Sequence, residues 1–202
     1  RFGAAWVFAL NAASYAVVIG SLRLVTLPPP PRAGGIGLGR LADGLRYARG
    51  HREVRHSLIT VFVMSLLTLP FITQMPKLAD VNLGIAARSE AYGLLYAAFG
   101  CGAVVGALSI GTVFAAADKA RLARVGLLAF AGLLAGFALL RSAPPAYPMV
   151  FLVGGAYFTV VTSLSTVLQQ DLDDAVRGKV LALWIMAFGG TVPFGGLLGG
   201  WF

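Results

Sequence analysis

Long apolar runs alternating with short basic connections set the pattern of this chain. The stretches 2–22, 57–76, 91–117 and 180–202 contain no charged side chain, and two further apolar runs cover 122–140 and 147–170. A helix rises about 1.5 Å per residue, so about 20 apolar residues cross a hydrocarbon core about 30 Å thick. All six stretches are therefore predicted as transmembrane helices. Spanning strands are excluded, because lipid tolerates strands only as closed barrels with alternating polarity, and these runs are continuously apolar. Between the fourth and fifth runs, Pro144 and Pro145 mark a tight turn joining antiparallel helices.

Composition agrees with the pattern. Of 202 residues, 58% are hydrophobic and 12% charged, against about 25% charged in soluble domains; mean hydropathy is +0.82. A net charge of +8 would point to nucleic acid in a soluble protein, but here its placement carries the information and no nucleic-acid partner is expected. One alternate set of connections holds twelve basic residues: Arg23, Arg32, Arg40, Arg46, Arg49, Arg52, Arg55, Lys119, Arg121, Arg124, Arg177 and Lys179. The opposite set holds three, Lys77, Arg88 and Arg141. Positive charge stays on the cytoplasmic side, so the first set is predicted inside and both chain ends outside. Because Arg1 and Phe202 adjoin apolar runs, the polypeptide is expected to continue in both directions.

The runs organise the chain into a first helix (1–24), a long cytoplasmic loop (25–56) and a bundle of five helices (57–202). The loop opens with Pro28 to Pro31 and Gly34-Gly35, which cannot continue a helix. From Leu38, the residues Leu38, Leu41, Ala42, Leu45 and Ala48 recur at helical spacing among arginines. That is an amphipathic basic helix, suited either to the anionic inner leaflet or to a solvated linker.

Candidate chemistry is sparse. On the 147–170 run, Thr159, Thr162, Ser163, Thr166 and Gln170 fall within about 100° of arc at 3.6 residues per turn, a polar stripe that either bonds to neighbouring helices or lines a cavity. Tyr92, Tyr96 and Phe99 form an aromatic stripe on the 91–117 run, and Gln74 sits near the outer end of the 57–76 run. Such rings and amides suit a large, partly apolar solute, although Tyr92 also fits an interfacial belt. No ionisable group lies deep in any run, so a proton-coupling carboxylate would have to lie elsewhere in the polypeptide. His51 and His56 lack metal-ligand partners, the single Cys101 rules out a disulfide framework or CxxC site within the chain, and no cofactor is expected. No catalytic set is present, and Asp171, Asp173 and Asp174 are read as capping groups at a helix start.

Four stretches, 2–22, 41–59, 89–108 and 177–201, resemble the enterobactin-exporter-like, drug-efflux branch of the major facilitator superfamily. The resemblance implies an all-α polytopic membrane bundle, a partial major facilitator fold covering helices six to eleven of twelve. It implies a secondary active transporter of the bacterial cytoplasmic membrane, exporting a small siderophore-like or drug-like molecule by alternating access, with protons as a candidate coupling ion. The tenth helix, which carries the polar stripe, would line the central path, and the ninth would lie outside. Asp118-Lys119-Ala120-Arg121 is similar to the family's cytoplasmic D-R-x-G-R loop, without its glycine, and also reads as an ordinary positive-inside loop. Gly189-Gly190-Thr191-Val192-Pro193-Phe194-Gly195-Gly196 is similar to the family's G-x-x-x-G-P-x-x-G-G pattern, with Val192 in place of glycine. With Arg177, which opens the last resembling stretch, Asp118, Arg121, Pro193, Gly195 and Gly196 are the candidate conformational residues. The alternative is a membrane scaffold or receptor without transport.

Overall fold

The computed structural model describes residues 4–24, 38–170 and 172–190, and the chain divides into two compact units, 1–37 and 38–202. Every regular element among the described residues is a helix. Five of these helices are long and apolar enough to cross a membrane.

The first unit contains α1 (Ala4–Leu24). Large apolar side chains such as Trp6, Phe8, Val17 and Leu22 are exposed on all its sides. The hydroxyls of Ser14 and Ser21 bond back to the carbonyls of Asn11 and Val18, at 2.7 and 2.8 Å, so they present no open polar group. A helix apolar all round belongs in lipid or protein rather than in water.

The second unit contains α2 (Leu38–Gly50), α3 (Arg52–Leu83), α4 (Glu90–Gly111), α5 (Lys119–Leu139), α6 (Ala146–Gln170) and α7 (Asp174–Gly189). α6 is central, packing along α4 and α5 and touching α3. Its buried residues Val150, Val153, Tyr157, Val160, Leu164 and Leu168 recur every three or four positions. α5 turns Ala123, Gly126, Phe130 and Phe137 inward and leaves Val125, Leu128 and Leu139 exposed, as an outer helix would.

The α4–α6 contact is backbone against backbone. A Cβ on Gly102 would collide with the Phe151 carbonyl, one on Gly106 with that of Gly155, and one on Gly154 with that of Phe99. Lipid supplies no hydrophobic drive between helices, so close approach through small residues is what holds such pairs. The same spacing at Gly132 and Gly136 does not do this: Gly132 has open space around it and Gly136 meets only the Met149 side chain.

α3 is longer at both ends than the apolar run 57–76, covering 32 residues and passing through Pro70 and Pro76. Charged residues end a transmembrane run but not a helix, so Arg52, Glu53 and Arg55 open it and Lys77 and Asp80 extend it. It stops at Gly84, whose φ of 66° is the left-handed cap conformation glycine favours. Conversely α4 stops at Gly111, short of the apolar run's end at 117, in a turn held by Lys119. The last predicted span, 180–202, is seen as α7 up to Gly189; residues 191–202, including Pro193, Gly195 and Gly196, lie outside the described residues.

The amphipathic helix α2 turns its small side toward protein. Gly44 and Ala48 are buried, and α2 packs on α7 and α3. His51 forms the corner between α2 and α3, its ring stacked 3.8 Å from that of Tyr47.

Candidate substrate path and the helix ends around it

Successive long helices of the second unit run in opposite directions. At one end, Glu53 and His56 of α3, Arg124 of α5 and Val167 of α6 line one cleft; at the other, the Tyr147 hydroxyl donates to the Ala91 carbonyl at 3.3 Å.

The polar stripe of α6 divides into different environments. Thr159 donates to the Gly106 carbonyl of α4 at 3.4 Å, and Thr166 to the Thr162 carbonyl of its own helix at 2.8 Å. A hydroxyl bonded to a helix carbonyl is locally satisfied whatever it faces. Ser163 is different, being fully buried with no hydrogen-bond partner among the described residues, as is Ser65 of α3. Thr162 is half-buried, while Gln170 is exposed. The stripe thus lies on the flank of α6, beside the face that packs into the core.

The aromatic stripe of α4 is one arm of a larger chain. Ring centroids of Tyr92 and Tyr96, of Tyr96 and Phe99, and of Phe99 and Tyr157 are each 6.4 Å apart, and Tyr157 lies 5.6 Å from Phe130 of α5. These separations are those of paired aromatic rings. Tyr96 is half exposed, whereas Tyr157 is buried where the three helices meet. Tyr157 is absent from the sequence candidates, although its place in the three-and-four spacing of α6 marks it.

Two connected clefts separate α3 from α5. The first, about 380 Å³, is lined by Glu53, His56, Ser57, Thr60, Arg124 and Leu164. The second, about 450 Å³ and apolar, continues from Thr60 and Leu127 to Leu67, Phe130 and Leu134. None of the stripe residues lines either cleft. Glu53, His56, Ser57 and Thr60 follow the i, i+3, i+4, i+7 pattern of one helix face, a signal hidden when the helix is started at residue 57. Gln74 lines a separate recess of about 320 Å³ with Lys77 and Asn82.

The connection between α4 and α5 is closed by an acid and a base with separate tasks. The Asp118 carboxylate accepts from the Ala120 and Arg121 amides, at 2.9 and 3.2 Å, capping α5. The neighbouring Lys119 ammonium, 9% exposed, donates to the carbonyls of Phe114, Ala115 and Ala117 at 2.5, 2.7 and 3.0 Å, holding the turn that follows α4. Arg121 is exposed. At α7, Arg177 pairs with Asp174 at 2.7 Å on the surface. Asp173 precedes that helix without a side-chain cap bond, contrary to the capping expected of it, and Asp171 lies outside the described residues. No group of three His, Cys, Asp or Glu that could hold a metal occurs among the described residues.

Among the described residues the second unit is a helical bundle with one glycine-sealed pair, α4–α6, and the chain's basic residues are concentrated in alternate connections. The match to the transmembrane secretion effector family runs over residues 1–202. The chain belongs to this family of the major facilitator superfamily. It is 31% identical over 191 residues to the enterobactin exporter EntS of Escherichia coli O9:H4 (strain HS) and of Shigella boydii serotype 18 (strain CDC 3083-94 / BS512), covering 90% of this chain. The chain spans 43% of the length of these relatives. No solved structure matches the chain significantly. The secretion effector chain is thus a multi-pass membrane protein of a transporter family.

Proposed function

We propose that the complete protein is a secondary active exporter of a small organic molecule, siderophore-like or drug-like, working by alternating access in the bacterial cytoplasmic membrane. The carrying observation is the secretion-family match over the whole chain; the exporter relatives give the direction. In this reading residues 1–24 end the N-terminal half, 25–56 form the central cytoplasmic connection and 57–202 belong to the C-terminal half. With protons as the coupling ion, the coupling carboxylate would lie in the part of the relatives' length that this chain does not span.

Within the unit, the flank of α6 bearing Thr159, Thr162, Ser163 and Thr166, with the Tyr92–Tyr96 arm of the aromatic chain, contributes the substrate path. Support comes from Ser163, whose buried hydroxyl has no partner among the described residues and is therefore a group that water or solute would satisfy. Gln170 and Gln74 mark the two ends of the path. Asp118, Arg121 and Arg177, with Pro193, Gly195 and Gly196, hold or bend helices between transport states.

The test is Thr162→Val with Thr166→Val in the complete transporter, which keeps shape and removes both hydroxyls. Lower flux per molecule at unchanged protein level is expected. Reduced yield with normal flux per molecule assigns the hydroxyls to helix packing, and no change in either removes them from the path.

A further inference from the structure

α2 divides into two faces that meet different surroundings. Leu41, Gly44, Tyr47 and Ala48 turn toward protein, with Tyr47 packed against the core that holds Ala48, Val180 and Trp184. At the edge of this face Lys179 Nζ donates to Asp43 Oδ2 at 3.0 Å, tying α2 to α7. The opposite face, formed by Ala42, Leu45, Arg46 and Arg49 at i, i+3, i+4 and i+7, is exposed. The apolar stripe read from the sequence is thereby split: Leu41 and Ala48 turn inward, whereas Ala42 and Leu45 stay outside among arginines.

The contacts of the inward face fix the level of α2 along α7. A Cβ on Gly44 would lie 3.1 Å from the Lys179 carbonyl oxygen and 3.2 Å from Leu183 Cδ1. Val180 is the first residue of the charge-free stretch 180–202, so α2 runs beside the turn at which α7 passes from basic connection to apolar span. That level is the boundary between hydrocarbon and headgroups. Leu45, 45% exposed, there has acyl chains within reach, and the arginines beside it have phosphates.

The cations of the outward face are gathered and weakly countered. The Arg46 side chain is 84% exposed and lies 3.8 Å from Asp43, whose carboxylate is already bonded to Lys179. Arg55 Nη1 reaches back from α3 to the Arg49 carbonyl at 3.3 Å, bringing a third guanidinium to the end of α2. Among the described residues no carboxylate pairs with Arg49 or Arg55. Guanidinium groups bind phosphate oxygens in pairs, and basic clusters beside a span are held by an anionic leaflet.

We propose that the outward face of α2 is a binding site for anionic phospholipid, with Arg46, Arg49 and Arg55 on the headgroup phosphate and Leu45 against the upper acyl chain. The site rests on the placement of α2 at the bilayer surface and not on the exporter reading.

The experiment places the full-length protein, with Cys101→Ser and a fluorophore on Ala42→Cys, in nanodiscs containing phosphatidylcholine or phosphatidylglycerol spin-labelled at the top of the acyl chain. Both leaflets then carry the same lipids, so sidedness does not enter. Quenching by both lipids is expected, with phosphatidylglycerol preferred about fivefold, as one arginine at an anionic surface contributes. The preference should shrink as salt screens the charges. Arg46→Gln with Arg49→Gln should bring the two lipids close to parity, whereas Arg46→Lys with Arg49→Lys retains a preference. Equal quenching with both arginines native, or a preference undiminished by both glutamines, overturns the site. Quenching by neither lipid sets this face against protein or water and overturns it as well. No flux enters the measurement, so failure of the exporter reading would leave the result standing.

Discussion

The Thr159 hydroxyl of α6 reaches the Gly106 carbonyl of α4 across 3.4 Å, and it can do so because Gly106 has no side chain to hold the two backbones apart. One polar contact and one glycine contact thus share a single point of closest approach.

Substituting the glycines at this seam should damage the fold selectively. Gly102→Leu and Gly106→Leu place carbons against backbone carbonyls, which cannot rotate away as a side chain can. Overpacking costs about 1–3 kcal/mol where neighbours yield, and here the expected loss is at the upper end or beyond. Gly132→Leu, in open space on α5, serves as the comparison. Folded yield of the full-length protein after detergent extraction should fall sharply for the first two and little for the third; equal losses would refute a backbone-sealed α4–α6 pair.

The Lys119 ammonium is expected to matter more than the Asp118 carboxylate. Asp118→Ala removes an N-cap, at a cost of about 1 kcal/mol. Lys119→Met keeps the stem but leaves three carbonyls without their charged donor, and a hydrogen bond to a charged group contributes about 1.5–3 kcal/mol. Thermal unfolding of the full-length protein in nanodiscs should therefore show the larger drop for Lys119→Met. The reverse order would make the Lys119 contacts incidental.

Sidedness follows from the twelve-to-three distribution of basic residues. In a Cys101→Ser background, cysteines at Arg49 and Lys119 should react with an impermeant reagent only after the cytoplasmic face is opened. One at Ala143, in the turn before α6, should react in intact cells. Reaction of Arg49→Cys from outside would invert the orientation and undo the assignment of α2 to the cytoplasmic face.

Acid should act on the α2–α7 contact from one direction. Hydrogen bonding from Lys179, then its charge, lowers the Asp43 carboxyl below its ordinary value, with a smaller pull from Arg46. A depressed carboxyl adds stability above its unfolded value and loses it as pH falls through the folded one. The docking of α2 is therefore expected to be constant through neutral pH and to loosen only in strong acid. Maleimide labelling of Ala48→Cys, corrected for the fall in thiolate with pH, checks this, and loosening near neutrality would point to another group.

Much of the bundle was legible in the sequence because continuous apolarity and helix length are properties of single segments. Helix ends were less so. The extension of α3 back to Arg52 depends on main-chain hydrogen bonds continuing past the apolar boundary, and hydropathy registers only where lipid-compatible residues stop. For the same reason the cleft face of Glu53, His56, Ser57 and Thr60 went unseen, although its spacing is helical. Among the glycine pairs, Gly102/Gly106 and Gly132/Gly136 have the same spacing, and only the position of α6 shows that the first is a contact and the second is not. The polar stripe was visible as an alignment, but the separate partners of Thr159 and Thr166, and the lack of one for Ser163 among the described residues, depend on what surrounds α6.

The seam of Gly102, Gly106 and Gly154 also limits how this unit can deform. Two helices separated by side chains can slide as those side chains change rotamer, but carbonyls meeting glycine α-carbons have nothing to rearrange. α4 and α6 are thereby coupled into a single plate, which meets α5 through side chains such as Phe130 against Tyr157. The candidate path is carried on that plate, so its groups on α4 and α6 would travel together.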